Sequence, residues 1–170
     1  MTLDKINKLI ESINDELIQP ANFPVVRRER STVGFINRKG DENWMSESVF
    51  EETLLKLSKC SESDELIVAE DFERVYKSSG KTVRLNEKIR ATWQDYLHFC
   101  SSNEMISFYV FDHSLRWCGW FNDEYWCLVF ENSVREAIKE SYLDVELAYQ
   151  AFPEADSQFK SFIENLYSIS

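Results

Sequence analysis

Met105-Ile106-Ser107-Phe108-Tyr109-Val110-Phe111, Trp117-Cys118-Gly119-Trp120-Phe121 and Tyr125-Trp126-Cys127-Leu128-Val129-Phe130 are β-branched and aromatic runs parted by polar turns. Asp112-His113-Ser114 and Asn122-Asp123 supply the turns, the second short enough to join antiparallel neighbours, so the stretch predicts a three-stranded meander. In a regular strand over 117–121, Trp117 and Phe121 share one face with Gly119, while Cys118 and Trp120 point to the other. Alternation therefore cannot bury Trp117, Trp120 and Trp126 on a single face. Helices over both faces would make all three plain core. A face left open would instead offer Trp117 and Trp120 as aromatic anchors for a partner.

Working outward from the meander, apolar residues recur at helical spacing on either side. Leu3, Ile6, Leu9, Ile10, Ile13, Leu17 and Ile18 make an amphipathic helix that Pro20 and Pro24 end. Val25-Val26-Arg27-Arg28-Glu29-Arg30 and Val33-Gly34-Phe35-Ile36-Asn37-Arg38 read as a hairpin, closed by Lys39-Gly40-Asp41. A second helix starts near Ser46 or Ser48 and carries Val49, Phe50, Thr53, Leu54 and Leu57 on one face. In the segment Glu65–Ser79, Val68, Phe72, Val75 and Tyr76 fit a helix ending before Gly80, although Leu66-Ile67-Val68 alone would also suit a short strand; the helix is the reading preferred. Asn86 to Cys100 reads as a helix capped by Asn86, with Ile89, Trp93, Tyr96, Leu97 and Cys100 on its apolar side. Two helices follow the meander, at about 131–150 and, after Pro153, about 154–168.

This order predicts one α+β globular domain over 1–170: an antiparallel sheet, made of the N-terminal hairpin plus the C-terminal three-stranded meander, packed by about five helices lying mainly on one face. Alternating β-α-β units are absent, which argues against a doubly wound sheet with a ligand crevice. Only four glycines occur in 170 residues, all isolated, so neither a G-x-G-x-x-G turn nor a G-x-x-x-x-G-K-[ST] loop exists to cradle a phosphate. Cys60, Cys100, Cys118 and Cys127 form no C-x-x-C pair and read as reduced thiols, the last three beside large apolar residues. With no basic-then-apolar opening and no long apolar run, the expectation is a cytoplasmic protein outside the membrane, with no cofactor and no metal.

Charge is the strongest remaining signal. The formal net charge is −11, and it is unevenly placed: +2 over 1–40, −9 over 41–73, +3 over 74–121 and −7 over 122–170. Glu47, Glu51, Glu52, Glu62, Asp64, Glu65, Glu70 and Asp71 lie in the most acidic block and are candidate partner-binding residues, with an ordinary solvated face as the alternative. Such a surface steers cationic partners and repels a nucleic-acid backbone, so a basic protein is the expected partner and direct nucleic-acid binding is not.

No motif of a known family is present, and catalytic chemistry finds little footing. His98 and His113 are the only imidazoles, and a nucleophile with its base would have to draw on one of them, for instance His113 with Cys118 or Cys127 and a nearby carboxylate. No D-x-[DN]-x-[DN]-G calcium loop exists. The resulting expectation is a non-enzymatic acidic protein-binding domain, an inhibitor or immunity-type protein that neutralises a basic partner such as a nuclease toxin. A small hydrolase or transferase using His113, and a structural subunit of a larger assembly, are the alternatives.

Overall fold

The computed structural model describes residues 3–13, 32–38 and 44–168. In chain order the elements are α1 (Leu3–Ile13), β1 (Thr32–Arg38), α2 (Glu47–Glu52), α3 (Leu54–Cys60), β2 (Glu65–Glu70), β3 (Arg74–Tyr76), β4 (Lys81–Val83) and β5 (Asn86–Arg90). After these come α4 (Trp93–Ser102), β6 (Phe108–Phe111), β7 (Trp117–Phe121), β8 (Tyr125–Glu131), two 3-10 turns (Asn132–Ala137 and Glu140–Leu143), α5 (Val145–Ala151) and α6 (Ser157–Ser168).

The three aromatic runs form the expected meander. β6 pairs antiparallel with β7, Phe108 opposite Phe121, and β7 with β8, Trp120 opposite Cys127. Every residue of these strands is buried. Successive residues alternate between two apolar clusters: Phe108, Val110, Trp117, Phe121, Trp126, Leu128 and Phe130 join one, and Tyr109, Phe111, Cys118, Trp120, Tyr125, Cys127 and Val129 the other. Runs without polar alternation need cover on both sides. The first cluster is closed by Phe50, Leu54, Leu57, Tyr96 and Phe99 of α2, α3 and α4, and the second by Ile6, Ala148, Phe162 and Ile163 of α1, α5 and α6. The expectation of helices mainly on one face is thereby corrected: helices cover both.

The α+β class is as read, but the strand order is not a hairpin plus a meander. Among the described residues the main sheet has six strands, in the order β1-β8-β7-β6-β2-β5, and β3-β4 form a separate two-stranded ribbon. β1 lies antiparallel to β8, while the 25–30 arm of the expected hairpin and its closing Lys39-Gly40-Asp41 lie outside the described residues. The helix expected over Glu65–Ser79 is instead β2 and β3. Leu66 and Val68 enter the first cluster and Ile67 and Ala69 the second, the two-residue period of a strand held between β5 and β6. Phe72, Val75 and Tyr76, the other half of the supposed helical stripe, are exposed, and Gly80 (φ 66°) sits in the ribbon turn rather than behind a helix.

Two further helices divide. Asn86 opens β5, not a helix; α4 starts later, capped by Thr92, whose hydroxyl accepts from the Asp95 amide. The segment from 131 to 150 begins as the last residue of β8, continues as two 3-10 turns and becomes helical only at α5, where Asp144 caps the Glu146 amide. Val134, Ala137 and Ile138 pack in the first cluster and Ala148 in the second. One straight helix cannot serve both faces of a sheet, so the chain breaks as it passes β1, which both 3-10 turns and α5 touch. The final helix is as expected, and Ser46 caps α2 through the Val49 amide.

Candidate functional site

Around the β7–β8 turn the chain builds a cavity of about 470 Å³ lined by Asp123, Glu124, Tyr125, Phe152, Glu154, Ala155 and Phe159. Local sequence explains each position. Asn122 donates its amide to the Tyr125 carbonyl (3.0 Å), and its Oδ1 accepts from the Glu124 (2.9 Å) and Tyr125 (2.8 Å) amides, so Asp123 and Glu124 are turned out to solvent. Pro153 follows α5; Phe152 leaves the helical conformation, and its carbonyl accepts from the Ala155 amide at 3.0 Å. Asp156 Oδ1 then accepts from the Phe159 amide (2.8 Å), a capping contact that starts α6 and places the Phe159 ring over the turn.

Three rings form the apolar wall. Tyr125 meets Phe152 at 5.6 Å and 88°, and Phe159 at 5.6 Å and 61°; Phe152 and Phe159 stand 5.1 Å apart at 65°. Trp120 backs Tyr125 edge-on at 5.9 Å. Edge-to-face packing leaves ring faces, the electron-rich surfaces, turned in different directions. Burial pushes the Tyr125 phenol well above its ordinary range, so it stays neutral. Asp123, Glu124 and Glu154 supply three exposed carboxylates at the rim, and among the described residues no basic one lines the cavity. Aromatic faces beside carboxylates are a receptor for an organic cation.

Of the residues singled out from sequence, few lie here. Trp44 Nε1 donates to the Asn122 carbonyl (2.8 Å), which brings the start of α2 to the same end of the sheet, and with it the exposed Glu47. Glu51, also exposed, follows one turn on, whereas Glu52 is bound to Lys139 and accepts from the Tyr142 hydroxyl at 2.8 Å. Glu62, Asp64 and Glu65 belong to the opposite end, a β2 length away, roughly 17 Å at the usual rise per residue. There the Glu65 carboxylate pairs with Lys88 at 2.6 Å and approaches His113 at 3.8 Å.

Four candidates are interior groups. Glu70 is fully buried and held by Arg74 (2.7 Å), and Asp71, nearly so, accepts from Ser107 Oγ (2.6 Å) and Trp120 Nε1 (2.9 Å). Trp117 is buried with its Nε1 on Asp112 Oδ2 at 2.7 Å. With Trp120 also buried, none of the four presents surface to a partner, because cover on both faces left no open side for them. The acidic block is thus not one continuous face.

Cys118 and Cys127 are buried, and burial pushes both thiols up, so neither supplies a thiolate for His113. Among the described residues no cluster of three or more His, Cys, Asp or Glu is arranged to hold a metal, and no helix is long and apolar enough to cross a membrane. Comparison with protein-family models, with curated proteins and with solved structures finds no match for this chain.

Proposed function

We propose that this is a cytoplasmic acidic protein-binding domain of the inhibitor or immunity type, which neutralises a basic partner such as a nuclease toxin by covering its cationic surface. The observation that carries the reading is the gathering of Asp123, Glu124 and Glu154 around an aromatic-walled cavity, with Glu47 at the same end of the sheet. These carboxylates set the approach of a cationic surface and speed encounter; the apolar wall gives the docked partner something to bury. Carboxylates at the far end are in part occupied by Lys88 and His113 and contribute only to the long-range field.

The test uses a basic protein captured with the tagged domain from its native cell and then purified. Asp123→Lys with Glu124→Lys is expected to slow its association at least tenfold in low salt and to flatten the salt dependence. Glu62→Lys with Asp64→Lys should change the rate less than threefold. Equal effects at the two ends would sink the assignment of the docking surface, and failure of any basic protein to form a one-to-one complex with the pure domain would sink the reading itself.

A further inference from the structure

We propose that the cavity bounded by Tyr125, Phe152 and Phe159 and rimmed by Asp123, Glu124 and Glu154 is the seat of one arginine side chain, inserted from the basic partner. The proposal rests on the basic-partner reading and adds to it the chemical group that anchors the contact.

The geometry favours a guanidinium over other cations. It is planar and weakly hydrated, so it lies flat on an aromatic face at small desolvation cost, while its five N–H groups point outward in the plane of the fork. The three rings stand at 88°, 61° and 65° to one another, so their faces do not share one direction and a flat group can stack on one while its edge meets another. The carboxylates come from two segments, Asp123 and Glu124 in the β7–β8 turn and Glu154 in the turn after α5, and a planar fork can form paired hydrogen bonds to a carboxylate that an ammonium cannot. A lysine ammonium is compact and strongly hydrated, and would leave more of its water at an apolar wall. At about 470 Å³ the cavity also takes the methylene stem, which would pack along Phe152 and Phe159.

The measurement is a titration of the ¹⁵N-labelled domain with Nα-acetyl-arginine amide, followed by amide shifts, against the lysine and citrulline analogues and tetramethylammonium chloride. Saturating shifts confined to 123–125 and 152–159 are expected, with arginine at least threefold tighter than lysine and citrulline silent. Glu124→Gln with Glu154→Gln should weaken arginine at least fivefold while the remaining spectrum stays unchanged, which establishes that the fold is intact. Absence of saturating shifts there, equal binding of citrulline, or tighter binding of tetramethylammonium would overturn the arginine assignment. The two proposals fail separately. If a basic partner binds undiminished after Phe159→Leu with Glu154→Gln, the arginine seat falls and the protein-level reading stands. If arginine amide binds in the cavity but no basic protein forms a complex, the cavity keeps its cation chemistry and the partner is lost.

Discussion

Where β6 turns into β7, Asp112 is fully buried and both of its oxygens are engaged by its own chain: Oδ1 by the Ser114 amide (2.8 Å) and hydroxyl, Oδ2 by Trp117 Nε1. Where β7 turns into β8, Asp123 and Glu124 stand in solvent beside a cavity that no basic side chain lines among the described residues. The two turns are a strand apart and use the same residue chemistry for different ends. A carboxylate surrounded by its own donors makes the fold specific, since burying it without them would cost several kcal/mol. The exposed carboxylates beside the apolar rings are instead the ones the proposed cation site would use.

The sharpest way to break this contrast is to neutralise each turn in separate variants. Asp112→Ala leaves the buried Trp117 indole and the part-buried Ser114 amide without their acceptor and is expected to destabilise the protein by about 3 kcal/mol in urea unfolding. Asp123→Asn with Glu124→Gln and Glu154→Gln should shift stability by no more than about 0.5 kcal/mol, as surface changes do. A comparable loss in both would mean that the open turn is structural too.

Between the two turns, Gly119 sits mid-strand, where an added Cβ would come within 2.8 Å of the Phe121 ring and 3.1 Å of Leu128 Cδ2. Gly119→Ala is expected to cost about 2 kcal/mol by overpacking, read as a lowered midpoint in thermal unfolding. A neutral result would show that the Phe121 ring can tilt away, and that the first cluster is looser than its burial implies.

The smallest expected effect belongs to a carboxylate intermediate between the two kinds. The hydrogen bond from Lys139, then that from Tyr142, holds the exposed-side Glu52 carboxyl below its ordinary value. A folded-state value below the unfolded one contributes stability above the unfolded value, and that contribution is lost as pH falls through the folded value. Glu52→Gln should therefore be slightly less stable than the parent at neutral pH, the gap closing in acid. The same change removes one of the two influences that, after burial, push the Tyr142 phenol up to about 12, so its ultraviolet titration should move down. A stability gap that persists in acid would show that Glu52 acts by packing and not by charge.

How much of this was readable beforehand depended on whether the deciding contacts were local. The meander was legible because β-branched and aromatic residues run without polar alternation, and because Asn122 satisfies its own turn. The β2 segment misled because Val68, Phe72, Val75 and Tyr76 match a helical stripe by spacing, while the choice was made by strands β5 and β6 on either side, drawn from elsewhere in the chain. Glu70 and Asp71 read as surface charge, since nothing nearby announces that Arg74, Ser107 and Trp120 will enclose them. For the cavity, the Pro153 break was plain from sequence, and Asp156 was an available cap. That Phe152 and Phe159 would meet Tyr125, some thirty positions earlier, follows from α5 and α6 packing beneath the sheet, which no local pattern carries.

The pairing of β1 with β8 has a consequence in time. Thr32 meets Glu131, so about a hundred further residues are synthesised after β1 before its described neighbour exists. The ribbon and the β6–β7–β8 meander can form from near neighbours in microseconds, whereas β1 makes the longest-range strand pairing among the described residues and is expected to form late. During that interval the outer edge of β8 is an unsatisfied row of amides and carbonyls, the point at which a nascent chain of this kind is most exposed to pairing with another copy of itself.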